Sequence, residues 1–302
     1  MNRYMELRQL RYLAAVAELG SFSAAARRLH VVQPAISQQI RKLETELGVE
    51  LILRGSTATL TAAGEQVCRR ARTALAEVDS IAREAAESAE TVSGRLTIGA
   101  MQWLGTIDLP ALLAAFAEQH PGVAMTLREA PTPHMIEGVR RGELDVSFVS
   151  LLDASRPRGC EAADLGSEEL LICGAAGLLP PKSSLRVRFL HDRPFVAFAE
   201  GSSIRAIVDA ALRRHGIQPR VMWESNEPFT VRDLAARGLG FTVVPRSFVE
   251  APGPPLEARS ARPTAIVRHL SLVWRANREP SRAARRFIAA VQDHCAMGRH
   301  AA

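Results

Sequence analysis

Ser21–Glu44 reads "SFSAAARRLHVVQPAISQQIRKLE", and the reading of this stretch decides the fold. It holds two short helical patterns broken at "HVVQ", His30–Gln33, a turn without glycine. Ser21 is suited to cap "FSAAARRL", whose alanines allow close packing on a neighbour. Pro34 fits a first helical position, with Gln33 leading into it. Ile36, Ile40, Leu43 and Leu47 recur at steps of four, three and four, which predicts one buried stripe. Ala35, Ser37, Gln38, Arg41 and Lys42 are left facing away. A helix with a dry inner face and a small, polar, basic outer face suits the major groove. Gln38 and Arg41 can reach base edges or phosphates, and Pro34 and Ala35 are small enough to touch a thymine methyl. A solvated helix in any three-helix unit has the same spacing, so the pattern alone leaves the two readings even.

Outward from this stretch, Glu6–Glu18 places Leu7, Leu10, Ala14 and Ala17 on one helical face, and Gly20 ends it. Residues 61–90 contain no proline and a single glycine, Gly64, with Thr61 as a cap. Val67, Ala71, Ala74, Val78, Ile81 and Ala85 alternate four and three residues apart, the repeat of a coiled-coil seam. Packing on the same subunit is the competing reading.

The 302 residues suit about two domains plus connectors, and 47% hydrophobic with 23% charged residues suits an ordinary core. Net charge is +6 and the pI near 9.7, which permits a polyanionic partner without requiring one. Many arginines sit late, so position must decide. Cys68, Cys160, Cys173 and Cys295 form no C-x-x-C pair and have no histidine at ligand spacing, which argues against a metal site. No secretory signal or membrane-length apolar run is visible, and the expected location is cytoplasmic.

The pieces L-R-Q-L-R-Y, G-S-F-S-A-A-A-x-x-L, Q-P-A-I-S-x-Q-I-x-x-L-E-x-E-L-G and L-T-x-A-G keep order and spacing over some sixty residues. This head strongly resembles the winged helix-turn-helix of LysR-type transcriptional regulators. The resemblance implies that Gln33, Pro34, Ala35, Ser37 and Gln38 read DNA, with Arg41, Lys42 and Arg54 as backbone contacts. Two departures stand out. Val32 replaces the family's usual phosphate-contacting serine, and the wing "RGSTATLT", Arg54–Thr61, looks one residue short and lacks basic residues. The head is therefore expected to make fewer phosphate contacts than its family. The helix after Thr61 is, by the same resemblance, a dimerisation helix, and the dimer would sit within a tetramer.

From residue 95 strands and helices alternate: "RLTIGA", "LPALLAAFAEQHPG", "VAMTLREA", "PHMIEGVRRG", "ELDVSFVS". This order predicts a largely parallel sheet covered on both faces. Later segments, from "EELLICGA" to "RHLSLVWRA" and the helix "SRAARRFIAAVQDHC", continue it. The whole resembles the two α/β lobes of periplasmic binding proteins, the ligand-sensing part of LysR-type regulators. The expected architecture is an all-α winged helix-turn-helix at 1–60, a linker helix at 61–92 with a hinge at 87–94, and an effector-binding domain at 93–302. Lobe one is 93–164 with 269–302, and lobe two is 165–268.

Ligands in open α/β folds sit beyond the carboxyl ends of strands, near helix starts. That rule selects Ala100, Met101, Gln102 and Trp103; Pro131, Thr132 and Pro133; Gly201, Ser202 and Ser203; and Pro228, Phe229 and Thr230. Helix-start amides favour an anionic ligand, which the hydroxyls of Thr132, Ser202, Ser203 and Thr230 could complete. Family ligand positions match Thr132 more closely than Trp103, which stands where the family often has a small hydroxyl. No G-x-S-x-G, H-E-x-x-H or P-loop pattern occurs, so no enzyme, cofactor or metal is expected. His134 reads as a surface or packing residue and Asp145 as a carboxylate at a strand start. Cys160 and Cys173 could sense oxidants only if close together and exposed.

The reading that joins these parts is a sequence-specific regulator of double-stranded DNA, answering to a small effector bound between the lobes. Its further partners are a second copy through the linker helix and RNA polymerase, with no membrane. A solute-binding protein or periplasmic-binding-like enzyme with an accessory helical domain is the alternative, and a pure scaffold is the third.

Overall fold

The computed structural model describes residues 5–54, 57–86, 92–105 and 107–300. The chain divides into two compact units, one of Met1–Ser88 with Arg141–Glu143 and one of Ala89–Arg140 with Leu144–Ala302.

In the first unit, α1 (Leu7–Leu19) is closed at its start by a Glu6–Gln9 capping box and at its end by Gly20, φ 60°. The Ser21 hydroxyl accepts the Ala24 amide at 3.3 Å and opens α2 (Phe22–Arg28). Helix α3 (Gln33–Leu47) starts one residue earlier than proline chemistry suggests, with Val32 as cap, and stops at Gly48, φ 70°. Strands β1 (Ile52–Arg54) and β2 (Ala58–Leu60) pair as an antiparallel hairpin, and α4 (Ala62–Ala86) follows. Leu13, Val16, Ile36, Ile40, Leu43 and Leu51 form the centre of the core.

Three periodicity expectations are corrected here. The buried face of α1 is Gln9, Leu10, Tyr12, Leu13, Ala15 and Val16, while Leu7 is exposed and Ala14 and Ala17 are only half-buried. The face is wide because α1 packs on α2, α3 and α4 together. Leu47 is 40% exposed, at the last residue of α3 before Gly48 turns the chain away. The early part of the supposed seam is turned inward: Cys68 and Ala71 are buried in the head's own core, with Val67 and Ala74 against it. Ile81, further along, is 65% exposed. Of the hinge at 87–94, residues 87–91 lie outside the described residues, as do Gly55 and Ser56 of the wing.

The second unit opens with β3 (Ser93–Ala100), α5 (Leu109–Gln119), β4 (Gly122–Glu129), α6 (Thr132–Arg140) and β5 (Val146–Leu151). Then come β6 (Cys160–Gly174), β7 (Ser184–Arg186), a 3-10 turn Val187–Leu190, β8 (Pro194–Phe198), α7 (Ser203–Arg213) and β9 (Arg220–Ser225). The chain continues with α8 (Pro228–Ala236), β10 (Thr242–Pro245), α9 (Arg246–Glu250), β11 (Glu257–Arg262), β12 (Ile266–Arg275) and α10 (Arg282–His300).

One apolar cluster gathers Leu96, Ile98, Phe116, Phe148, Leu272 and Phe287. Another gathers Ile172, Phe195, Val196, Val231, Val243 and Phe248. The main sheet runs β4-β3-β5-β12-β6-β11-β7, with β10 also on β6, and β8 pairs with β9 apart from it. Strand β3 is parallel to β4 and β5, as the alternating order predicts. The sheet is nevertheless mixed, because β12 is antiparallel to both β5 and β6. The cause is the route of the chain. Strand β6 passes from Ala163 and Leu165 in one cluster to Leu170–Cys173 in the other, and β12 returns from Ile266 to Leu270 and Leu272. A strand out and a strand back must oppose each other. Among the described residues no helix is long and apolar enough to cross a membrane.

Candidate nucleic-acid interface and ligand pocket

Helix α3 is held from below and left open above. Ile36, Ile40 and Leu43 have no exposed surface, whereas Gln33, Pro34, Gln38, Arg41 and Lys42 are exposed and Ala35 and Ser37 half-buried. The Lys42 ammonium is not idle. It lies 3.2 Å from a Glu6 carboxylate oxygen and 3.9 Å from Glu46, and its hydrogen bond holds the Glu6 carboxyl below the usual range. A phosphate reaching Lys42 would have to displace Glu6. Arg54 is paired to Ala58 through the hairpin, and its side chain lies outside what is described.

Glu44, within the matched motif, takes a position that periodicity does not reveal. One of its carboxylate oxygens accepts the amides of Leu51 at 2.9 Å and Ile52 at 3.2 Å, which pins the first wing strand to α3. The second pin is the L-T-x-A-G motif. The Thr61 hydroxyl donates to the Glu50 carbonyl at 2.7 Å and accepts the Gly64 amide at 2.9 Å, and the Thr61 amide donates to the Leu51 carbonyl. The wing and α3 are thus fixed as one piece.

In the second unit a cavity of about 340 Å³ opens at the carboxyl ends of β3, β4 and β8. That size suits a small metabolite. Of the expected ligand residues the structure brings together Met101, Gln102, Trp103, Thr132, Ser202 and Ser203, with Pro131 and Pro228 beside them. Three do not line it. Ala100 ends β3 with its methyl buried in the core. Phe229 is half-exposed and Thr230 exposed. The buried stripe of α8 is Pro228, Val231, Arg232 and Ala235, so the two residues after Pro228 are rotated away from it. Pro133 and Gly201 stand outside the lining as well.

Trp103 is a structural tie rather than a loose wall. Its indole N–H donates to the Ser247 hydroxyl at 2.9 Å, and its ring meets Phe248 edge-on at 4.8 Å and Phe229 at 6.4 Å. The Thr132 hydroxyl is buried and accepts the Ser150 amide at 3.2 Å. Ser202 caps α7 without a side-chain hydrogen bond, so its hydroxyl is uncommitted to the helix.

Arg268, Glu129, Phe198 and Asn226 also line the cavity and were not expected from sequence. Arg268 is 0% exposed, so it forms a sealed floor rather than a ligand contact. Its guanidinium donates to Glu168 at 3.0 and 2.6 Å and to the Trp103 carbonyl at 3.0 Å. Burial pulls its pKa down, and the Glu168 carboxylate opposes that. The other Glu168 oxygen accepts the Ser247 amide at 2.7 Å. The Arg268–Glu168 pair leaves the floor without net charge, although the Glu129 carboxylate lies on the lining. An anion in the cavity would be met chiefly by the amides at the start of α7, because Pro133 in α6 has no N–H and the His134 and Met135 amides donate to the Pro131 carbonyl.

Asp145 accepts the Thr97 amide at 2.7 Å at the start of β5, and His134 is exposed on α6. Among the described residues no group of three His, Cys, Asp or Glu could hold a metal. All four cysteines are free and buried. Burial pushes up the thiols of Cys68 and Cys160, and that of Cys173 to about 12. An oxidant sensor needs an exposed thiolate, so that alternative is set aside. A thiol reagent applied to the native protein at neutral pH is expected to label none of the four rapidly, with labelling appearing on denaturation. One fast stoichiometric thiol would overturn this.

Comparison with known proteins supplies the context. Residues 7–65 match the family model "Bacterial regulatory helix-turn-helix protein, lysR family", and residues 89–296 match "LysR substrate binding domain". The chain is 30% identical over 289 residues to the uncharacterised HTH-type transcriptional regulator YfeR of Shigella flexneri, covering 95% of this chain and 93% of the relative. It is 31% identical over 246 residues to the HTH-type transcriptional regulator CzcR of Bacillus cereus, covering 81% and 82%. Full-length OxyR from Pseudomonas aeruginosa superposes with a TM-score of 0.71 at 28% identity, covering 97% and 95%. Full-length CbnR complexed with its target DNA superposes with a TM-score of 0.66 at 28% identity, covering 96% and 99%.

Proposed function

Since the chain belongs to the LysR family, as a DNA-binding transcriptional regulator with a substrate-binding domain, we propose which of its residues do this work. Gln33, Pro34, Ala35, Ser37 and Gln38 read base edges in the major groove, with Arg41, Lys42 and Arg54 on the phosphate backbone. The head spans 1–60 and the linker helix 61–92. The effector domain has lobe one at 93–164 with 269–302 and lobe two at 165–268.

The observation that carries this reading is the division of α3: three fully buried isoleucine and leucine side chains beneath, and a short, uncharged, hydrogen-bonding ridge above. Glutamine can address adenine through two hydrogen bonds, which a solvated surface does not require. Gln33→Ala is expected to cost about 1–3 kcal/mol on the preferred operator and to relax the base preference at one position. Binding to a set of single-base operator variants measures both. A uniform loss of a few tenths of a kcal/mol across the set would sink the assignment.

The effector is a small metabolite with an anionic group, held in the cavity by the start of α7 and by the hydroxyls of Ser202 and Ser203. It acts by preferring one arrangement of the two lobes over another. Two copies join through the distal part of α4, where Ile81 offers an uncovered apolar side chain, and pairs of dimers form a tetramer. The protein works in the cytoplasm, takes RNA polymerase as a further partner and catalyses no reaction.

A further inference from the structure

We propose that lobe two carries a second, sequence-independent duplex-binding surface at the pole opposite the ligand cavity. Its charge density is the starting point. Residues 181–222 hold eight Lys or Arg against three Asp or Glu, a larger surplus than the eight against five of residues 1–60. In the head much of the surplus is spent internally, with Arg8, Arg28 and Lys42 paired to glutamates. In 181–222 only Arg205 makes an ion pair among the described residues, with Asp209 and Glu224.

The unpaired cations converge. Arg186 and Arg262 are direct neighbours in the parallel β7–β11 register, and both are exposed. Like charges side by side in a sheet are unfavourable, so the fold gains nothing from them locally. Arg188 follows on the 3-10 turn, also exposed. That turn is tied to the connection that follows α7: the Gln218 amide donates to a His191 ring nitrogen at 3.3 Å, and the Asp192 amide donates to the Gln218 carbonyl, while the Ile217 amide donates back to the Leu212 carbonyl of the helix. Exposed Arg213 and Arg214 stand at that end of the helix. They complement its dipole, but that does not account for Arg186, Arg188 or Arg262.

The pole is remote from the effector. Helix α7 begins at the cavity with Ser203 and ends at Arg213, about 15 Å away at 1.5 Å per residue. The chemistry favours nucleic acid over an acidic protein. Protein interfaces are depleted of charge and built around apolar or aromatic anchors, whereas duplex interfaces are strongly positive and polar. Within 181–193, 213–220 and 260–265 no large hydrophobic side chain is exposed, and the exposed Val221 and Met222 come only further along β9. Arginine is also the side chain best shaped to fork onto a phosphate.

The inference rests on the chain being a duplex-binding regulator, and the test separates the two. The full chain and an Arg186→Gln/Arg188→Gln/Arg213→Gln/Arg214→Gln variant are titrated with salt on a minimal operator and on the same operator with long random flanks. The variant should match the wild type on the minimal site, including its base preference. On the flanked duplex its log–log salt slope should be flatter by about one unit for each phosphate that is no longer neutralised, up to about three to four. Lysine at the four positions should restore most of the slope. Equal slopes for wild type and glutamine variant on the flanked duplex would overturn the proposal and leave the pole to an acidic protein. Failure of the wild type on the minimal operator would instead strike the duplex-binding reading itself.

Discussion

Glu168→Ala is expected to destabilise the effector unit by about 3–5 kcal/mol, the cost of leaving one member of a buried ion pair without the other. Arg268 cannot turn to water: it is 0% exposed, and among the described residues Glu168 is its one charged partner. The loss reaches beyond the pair. Glu168 also accepts the Ser247 amide at the start of α9, while Arg268 holds the Trp103 carbonyl and Trp103 donates to Ser247. Four residues from distant parts of the chain are closed into one ring beneath the cavity. Glu168→Gln should retain an acceptor for Ser247 and lose less. Replacing both members, Glu168→Leu with Arg268→Met, should recover much of the stability, because a filled apolar floor needs no charge. Chemical denaturation followed by effector-domain fluorescence measures each step. A loss below about 1 kcal/mol for Glu168→Ala would show that water reaches Arg268 and that the floor is open.

What sequence could and could not reveal follows from range. Ile36, Ile40 and Leu43 were legible because a helix buries residues by local periodicity. Leu47 and Leu7 fit the same periodicity and are exposed, because a stripe says nothing about where the neighbouring helix ends. The cavity residues Met101, Thr132, Ser202 and Ser203 were legible from a topological rule about strand ends. Arg268 and Glu168 were not. They lie 100 residues apart, and only the antiparallel return of β12 beside β6 makes them partners. Trp103 was found as a site residue, but its bond to Ser247, 144 residues away, turns it from a variable wall into a tie. Glu44 sits in a recognisable motif, yet only the folded chain shows it holding the wing through two backbone amides.

Gly64 tests the other end of the molecule, and here ordinary helix propensity predicts the wrong sign. Glycine to alanine inside a helix is commonly stabilising by about 1 kcal/mol. At Gly64 an added Cβ would overlap the Leu51 carbonyl oxygen and stand 2.9 Å from its carbon. The obstacle is backbone, not a side chain that can swing aside. Nor is it free backbone: the Leu51 carbonyl accepts the Thr61 amide, and the Leu51 amide donates to Glu44. Relief requires α4 to lift from the first wing strand, which undoes the pins that fix the hairpin to α3. Gly64→Ala is therefore expected to destabilise the head by about 1–3 kcal/mol or more, as overpacking a core does. Operator affinity should fall at least about tenfold, the equivalent of 1.4 kcal/mol. Ala62→Gly, exposed at the first position of α4, provides the control: it should cost less than about 1 kcal/mol in stability, the interior propensity difference, and leave base preference intact. Thermal unfolding and operator titration of the two variants separate steric from conformational effects. A Gly64→Ala chain as stable as the wild type would mean that α4 does not press on the wing, and the rigid coupling of wing to recognition helix would have to be abandoned.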